Sequence, residues 1–156
     1  MSSSSSGSNS NKNSSLQESL SYFKDSVFDC IKSKKSISVT THIDCDGLTS
    51  GSIITKALIR AGANCTVRTA KEFSRDVISE LKDDSRDFHI ISDFGGGFAK
   101  DLDEVLGDSS WVVLDHHQID EDEYENERVI NAWKFGIDGG KEICAGGMTY
   151  LAANAL

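Results

Sequence analysis

The sequence predicts an α/β domain with a mostly parallel sheet and flanking helices. Short apolar segments with the period of a strand alternate along the chain with amphipathic segments of helical period. One of the strand segments, Phe88–Ser92, is apolar almost throughout, as expected of a strand that is buried on both faces. Successive parallel strands need crossover connections, and the alternating helices would supply them.

The chain opens with a polar, low-complexity segment, MSSSSSGSNSNKNS. Such a segment cannot bury enough apolar surface to offset the entropy lost on ordering, so residues 1–14 are expected to be disordered. The segment also lacks the apolar region of a signal peptide. Residues 15–156 are expected to form one domain, whose first helix carries an apolar stripe from Leu16 to Ile31 and begins at a capping box of Ser15 and Glu18.

The most informative stretch is Ser36–Ser52, SISVTTHIDCDGLTSGS. Ile37 and Val39 alternate with serine and threonine, which predicts a strand. Apolar residues then recur at helical spacing, which predicts a helix over Leu48–Ala61 that Gly62 ends in a left-handed cap. Further strands are predicted over 64–70, 88–92, 111–114 and 128–131, and further helices over 74–81, 98–106 and 145–156.

Composition restricts the class of protein. No apolar run is long enough to span a membrane. A net charge of −9 argues against a broad basic face that grips nucleic acid, although metal ions or another domain could still hold its phosphates. The 4 cysteines form no close pair and no export signal precedes them, so we expect reduced thiols and a cytoplasmic location.

Acidic residues and histidines follow three of the predicted strands directly. In a parallel sheet the carboxyl ends of the strands share one edge, so segments that are distant in sequence are expected to converge on one pocket there. The residues concerned are His42, Asp44 and Asp46 after the first strand, Asp93 after the third, and Asp115, His116 and His117 after the fourth.

This set of side chains predicts a divalent metal site. Closely packed carboxylates and imidazoles repel one another unless a cation neutralises them, and mixed nitrogen and oxygen donors suit manganese, magnesium, zinc or iron better than calcium. A calcium loop counted from His42 would need glutamate at its twelfth position, where Ile53 stands. Asp44 and Asp46 could instead be solvated loop or capping residues, and His89 is expected to be a core histidine.

The motif His42–Gly47, HIDCDG, together with Asp115-His116-His117, resembles the DHH phosphoesterase superfamily, and Asp93 stands where its second acidic motif would be. The resemblance covers about Ile37 to Leu156 and implies a Rossmann-like three-layer DHH domain. It also implies hydrolysis of a phosphodiester with the help of two ions, Mn²⁺ or Mg²⁺.

The resemblance implies a role for each residue of the two motifs. His42 and Asp44 would bind one metal, Asp46 and His116 the second, and Asp93 would bridge both ions. His117 would contact the substrate phosphate, and Asp115 would orient a histidine. The backbone N–H groups of Gly146 and Gly147 could approach a phosphate, although a tight turn or close helix packing explains these glycines equally well.

Within the family, the segment from Asn131 to Leu156 is most similar to archaeal RecJ-like nucleases, the group related to the replication-fork nuclease that associates with GINS. This similarity implies a single-strand-specific exonuclease with a nucleic-acid substrate and a GINS-like partner. Two alternatives are a phosphoesterase for small nucleotides or pyrophosphate, and an inactive replication scaffold related to the DHH-like helicase subunit.

The sequence also departs from the family pattern at its C-terminal end. The further aspartate and the glycine-rich substrate-binding domain of the relatives do not occur in the 156 residues. We therefore expect the chain to be the N-terminal part of a longer phosphoesterase, truncated within its DHH domain.

Overall fold

The computed structural model describes residues 9–107, 110–120 and 126–156, with side chains from Leu16 onward. Its strands are β1 (Ser36–His42), β2 (Asn64–Ala70), β3 (Phe88–Ser92), β4 (Ser110–Asp115) and β5 (Val129–Asn131). Its α-helices are α1 (Asn9–Lys32), α2 (Cys45–Arg60), α3 (Arg75–Asp83), α4 (Ala99–Leu106) and α5 (Ala145–Ala155). Short 3-10 helices occupy Gly96–Phe98 and Ala132–Phe135.

Within the described ranges the five strands form one sheet in the order β2-β1-β3-β4-β5, and every pairing is parallel. The register aligns Thr41 of β1 with Ser92 of β3, and Ser92 with Leu114 of β4. Asp115 in turn pairs with Asn131 of β5. The carboxyl ends of these four strands therefore lie side by side at one edge of the sheet.

Each face of the sheet carries its own apolar core. Ile90 and Val112 pack with residues of α1, α2 and α5, whereas their neighbours Ile91 and Val113 pack with residues of α3 and α4. This alternation follows from the two-residue period of a strand. The predicted α/β class is confirmed, and the three-layer arrangement is present in full.

The first helix differs from its prediction. It begins at Asn9 rather than at Ser15. The expected disorder of residues 1–14 stays a prediction. A helix that has been nucleated gains one hydrogen bond for each residue it adds, which allows it to extend into a polar segment. The proposed capping box of Ser15 and Glu18 is therefore wrong as a helix start, and residues 1–8 of the predicted tail lie outside the described residues.

The second helix also starts earlier than predicted, at Cys45 instead of Leu48. The Asp44 carboxylate caps it by accepting a hydrogen bond from the Gly47 N–H at 2.8 Å. At the other end Gly62 has a φ of 88°, as the predicted left-handed cap requires. Ser74 caps α3 as predicted. In the part of the chain that the structure describes, no helix is both long and apolar enough to cross a membrane.

Candidate metal centre

Asp93 is the central residue of the candidate site. It follows β3 directly, is 2 % exposed, and has a left-handed backbone with a φ of 69°, which aspartate tolerates better than most residues. Its N–H donates to the Leu114 carbonyl oxygen at 3.0 Å, which fixes the turn against β4. The Asp93 carboxylate therefore projects between the groups that follow β1 and β4.

A first group of possible ligands follows β1. The Nδ1 atom of His42 lies 2.9 Å from Asp44 Oδ2 and 3.7 Å from Asp93 Oδ2. Ligand atoms of these three residues all lie within 4.8 Å of one another, close enough for one cation to touch them all.

A second group lies on the other side of Asp93. The Nε2 atom of His116 is 3.3 Å from Asp93 Oδ1 and 3.6 Å from Asp46 Oδ2. Asp93, His116 and His117 also offer ligand atoms that lie within 4.8 Å of one another. One buried carboxylate is thus shared by two groups of possible ligands, with one of its oxygen atoms facing each group.

Backbone carbonyl groups orient two of the histidines. His42 Nε2 lies 2.9 Å from the Lys71 carbonyl oxygen, and His116 Nδ1 lies 2.7 Å from the Gly139 carbonyl oxygen. A carbonyl can only accept a hydrogen bond, so each of these ring nitrogens carries the proton. The opposite nitrogen of each ring lies near Asp93 and would offer its lone pair to a metal ion when it is unprotonated.

Asp115 holds the Asp-His-His segment in place. Its Oδ1 accepts from the backbone N–H of His116 at 2.7 Å and contacts His117 Nδ1 at 2.9 Å, and its Oδ2 accepts from the Gly96 N–H at 3.0 Å. Burial raises the pKa of Asp115, but these hydrogen bonds outweigh burial and hold the pKa below its usual range. The hydrogen bond to Asp115 in turn raises the pKa of His117.

Asp46 has a second contact that its sequence position does not reveal. Its two carboxylate oxygens accept from the N–H groups of Ala145 and Gly146, at 2.8 and 2.9 Å, at the N-terminus of α5. The Gly146 N–H is therefore engaged by a protein carboxylate, and a Cβ at Gly147 would lie only 2.6 Å from Ile143 Cγ1. Of the two explanations considered for this glycine pair, close packing fits the structure better than phosphate contact.

The site has the electrostatics of a cation site. Burial, followed by repulsion from Asp46 and Asp44, raises the pKa of Asp93 to about 6. Asp93 Oδ2 is buried and accepts no hydrogen bond from the described residues. A buried carboxylate oxygen without a donor is costly, and a cation between the two groups would remove both that cost and the repulsion. The residues present therefore fit divalent ions.

Buried hydroxyl groups support the turn between β1 and α2. Thr41 Oγ1 donates to the Gly47 carbonyl oxygen at 2.7 Å, and Ser50 Oγ donates to the same oxygen at 3.0 Å. Ser92 Oγ, next to Asp93 in sequence, donates to Ser50 Oγ at 2.9 Å. These hydrogen bonds tie the segment that carries Asp44 and the segment that carries Asp93 to each other.

A cavity of about 400 Å³ opens beside the first ligand group. Its walls include His42, Asp93 and His117, together with aromatic side chains of Phe73, Phe94 and Phe98. Such a volume suits a small ligand or one unit of a polymer.

The fold and the site together define an α/β protein with a histidine and carboxylate cluster at the carboxyl edge of a parallel sheet. Residues 36–154 match the model of the DHH family, N-terminal domain. The chain belongs to the DHH family, whose superfamily comprises metal-dependent phosphoesterases.

The chain is also similar to individual proteins in sequence or in fold. The uncharacterized protein MJ0831 of Methanocaldococcus jannaschii is 35 % identical over 123 residues, which are 75 % of this chain and 28 % of that protein. RecJ from Thermus thermophilus, in a crystal structure with Mn²⁺, superposes with a TM-score of 0.71 at 21 % identity, over 91 % of this chain and 20 % of RecJ. CDC45 from Entamoeba histolytica superposes with a TM-score of 0.63 at 16 % identity, over 87 % of this chain and 29 % of CDC45.

The chain thus spans less than a third of each of these proteins. At such low identities, the two structural matches show a shared fold and nothing about activity. They do confirm the fold predicted from the DHH resemblance.

The structure brings the seven acidic and histidine residues singled out in the sequence to one edge of the sheet. Sequence reasoning missed the groups around them: the carbonyl groups of Lys71 and Gly139, and the indole of Trp133, which donates to the His116 carbonyl oxygen at 2.9 Å. Backbone carbonyls leave no signal in a sequence. Trp133 lies in a 3-10 helix of 4 residues, which is too short to give a periodic pattern in the sequence.

Proposed function

We propose that the chain is the N-terminal part of a metal-dependent phosphoesterase that hydrolyses phosphodiester bonds, as a single-strand-specific exonuclease of the RecJ type. One observation carries the proposal: the buried Asp93 carboxylate is shared by two groups of possible ligands, and one of its oxygens has no protein donor among the described residues. Such an arrangement suits a pair of cations better than it suits a structural ion pair.

Each ion is assigned ligands from the geometry around Asp93. His42 and Asp44 would hold the first ion and His116 and Asp46 the second, with Asp93 common to both. Mn²⁺ and Mg²⁺ are the proposed ions because carboxylates make up most of the donors. Two bound ions would supply an activated water and neutralise charge that develops on the phosphoryl oxygens.

His117 and Asp115 have roles that do not require a direct bond to a metal. The hydrogen bond from His117 Nδ1 to Asp115 raises the pKa of His117, so a larger fraction of the imidazole is protonated near neutral pH. His117 also lines the cavity, where the protonated ring would donate to a substrate phosphate oxygen. Asp115 orients that ring and fixes the backbone of both histidines.

The proposed substrate is single-stranded nucleic acid, the proposed location is the cytoplasm, and a GINS-like replication protein is the proposed partner. The similarity of the segment from Asn131 to Leu156 to RecJ-like nucleases supports the nuclease assignment. A phosphoesterase for small nucleotides is the second candidate, favoured by the limited volume of the cavity and by the net charge of −9. An inactive scaffold resembling CDC45 ranks third. An inactive protein would be expected to lose metal ligands, whereas all the proposed ligands are present in this chain.

A direct assay separates these possibilities. The full chain is incubated with end-labelled single-stranded DNA, single-stranded RNA and dinucleotides, with Mn²⁺ or Mg²⁺. We expect progressive shortening of the single strands from one end, and loss of at least about 100-fold in rate for Asp44→Ala and His116→Ala because each removes a metal ligand. Asp25→Ala, an exposed carboxylate on α1, is the control and should behave as the wild type.

The alternatives give distinct results. Hydrolysis of dinucleotides alone would favour the small-nucleotide phosphoesterase. Retained activity in His116→Ala would contradict the ligand assignment. Absence of hydrolysis by the folded wild-type chain with either metal would overturn the proposal of activity for this chain.

A further inference from the structure

Three phenylalanines next to the candidate metal centre have no role in the chemistry proposed above. Phe73 lies in the loop between β2 and α3, whereas Phe94 and Phe98 lie just after β3. The Phe73 ring centroid is 5.0 Å from that of Phe94 and 5.3 Å from that of Phe98. Together these three side chains form a continuous surface, which we call the aromatic wall.

The aromatic wall packs against the apolar core that includes Ile91 and Val113, but it also keeps exposed surface beside the site. All three rings are partly exposed, and all three line the same cavity as His42 and Asp93. Leaving aromatic surface in contact with water is unfavourable. A position that keeps this surface open beside a polar site is typical of a ligand contact.

The local backbone is shaped to hold the wall in place. Gly95 has a φ of 90°, and a Cβ at this position would lie 2.8 Å from Ile91 Cγ2 and 3.4 Å from the Phe73 ring. Only glycine allows this close approach in a left-handed conformation. The Phe73 ring can therefore rest directly against the end of β3, next to Asp93.

The wall is also adjacent to the proposed ligands. The Phe94 ring centroid lies 6.0 Å from that of His42, whose Nδ1 atom faces Asp93. A ligand in this cavity would therefore meet aromatic rings inclined to one another at one end and the histidine and carboxylate cluster at the other. A nucleotide carries a flat base and a charged phosphate in one molecule, whereas pyrophosphate offers no group that could use an aromatic surface.

We propose that Phe94 stacks on the nucleobase attached to the reacting phosphate, with the Phe73 ring, inclined by 57°, against the edge of the same base, so that this site selects nucleotides over phosphate compounds without a base. The inference rests on the proposed function and adds the specificity-determining residues to it. Stacking on an aromatic side chain is tolerant of sequence because every base has a π-face. The site would accordingly show little preference among the four bases.

Binding to simple ligands provides the test. The affinities of the full chain for adenosine monophosphate, uridine monophosphate and ribose 5-phosphate are measured by calorimetry in the presence of Mn²⁺. We expect both nucleotides to bind about 5- to 140-fold more tightly than ribose 5-phosphate, the range that corresponds to stacking of one base. Phe94→Leu and Phe73→Leu should remove most of this preference and leave the affinity for ribose 5-phosphate unchanged.

Two controls separate stacking from a general effect on structure. Phe94→Tyr keeps an aromatic ring and should keep the preference for nucleotides. Val105→Ala changes an apolar side chain that packs against the same core but does not line the cavity, so it should leave all three affinities unchanged. If a leucine variant proves to be unfolded by circular dichroism, the tyrosine variant and the wild type still decide the question.

Each result bears on the inference. Equal affinity of the wild type for ribose 5-phosphate and for the nucleotides, failure to bind any of them, or equal weakening of all three ligands by Phe94→Leu would overturn it. A preference for nucleotides in a wild type that hydrolyses nothing would support stacking while the proposed activity fails. Hydrolysis of single strands without any nucleotide preference would overturn stacking while the proposed activity stands.

Discussion

At the scale of single residues, Asp93 combines features that are each unfavourable. A left-handed backbone, nearly complete burial and an oxygen without a hydrogen-bond donor among the described residues all raise the free energy of the folded chain. Such features persist where they serve a site. Their coincidence at the one carboxylate shared by both ligand groups is the strongest sign that the cluster has a function.

We predict that Asp93→Asn makes the metal-free protein more stable by about 1–3 kcal/mol above pH 6. The folded state raises the pKa of Asp93 from 3.8 to about 6, so the ionised carboxylate opposes folding at neutral pH. Below about pH 4 the carboxyl group is protonated in both states, and the difference should vanish. Urea unfolding in EDTA between pH 4 and pH 8 measures the effect.

Asp44→Asn is the matched control for that experiment. The hydrogen bond from the Gly47 N–H, more than any other contact, lowers the pKa of Asp44, and asparagine caps a helix about as well as aspartate. We therefore expect a small loss of stability or none. A destabilised Asp93→Asn variant above pH 6 would mean that the carboxylates do not repel one another as the structure indicates.

At the scale of secondary-structure elements, the site depends on how the ends of β1 and β3 are joined to α2. The hydroxyl groups of Thr41, Ser50 and Ser92 make this connection beneath the candidate metal centre. Gly47 allows it sterically, because a Cβ there would lie 2.3 Å from the His42 carbonyl oxygen. The first turn of α2 is thus held at a fixed position relative to Asp93.

Neighbouring threonines in β1 test the contribution of these hydroxyl groups. Thr41→Val removes a buried hydrogen bond to the Gly47 carbonyl oxygen, which keeps the one from Ser50, and should destabilise the protein by about 0.5–1.5 kcal/mol. Thr40→Val removes a buried hydroxyl that has no partner among the described residues, so it should be neutral or stabilising. Urea unfolding of both variants measures the difference, and equal effects would show that the hydroxyl network adds no stability.

At the scale of the whole molecule, the fold brings acidic residues together in a chain that already carries a net charge of −9. Packing on both faces of the sheet provides the apolar burial that holds this arrangement together. A cation bound at the carboxyl edge would therefore relieve repulsion and link β1, β3 and β4 at once.

We predict that Mn²⁺ raises the thermal midpoint of the wild type by about 5–10 °C at a concentration near 100 times its dissociation constant. Binding to the folded state alone gives about 2.7 kcal/mol under that condition. Differential scanning fluorimetry with Mn²⁺, with EDTA, and with NaCl at matched ionic strength separates specific binding from screening. The same shift in Asp93→Asn would contradict the assignment of Asp93 as the shared ligand.

The sequence by itself determined the class of fold and predicted the residues of the candidate site. Strand and helix periods identified the elements, because they reflect which side chains are buried, and acidic residues or histidines after β1, β3 and β4 indicated a shared edge. The predicted start of α1 was wrong, because a helix that extends into a polar segment produces no periodic apolar pattern there.

Only the tertiary structure decided how the ligands are arranged. It placed Asp93 between His42 and His116. The carbonyl groups of Lys71 and Gly139 orient these two histidine rings. The Asp46 carboxylate accepts hydrogen bonds at the N-terminus of α5. It also assembled the aromatic wall from two separate loops. These contacts join backbone groups and residues far apart in sequence, and a periodic pattern of side chains carries no information about such pairs.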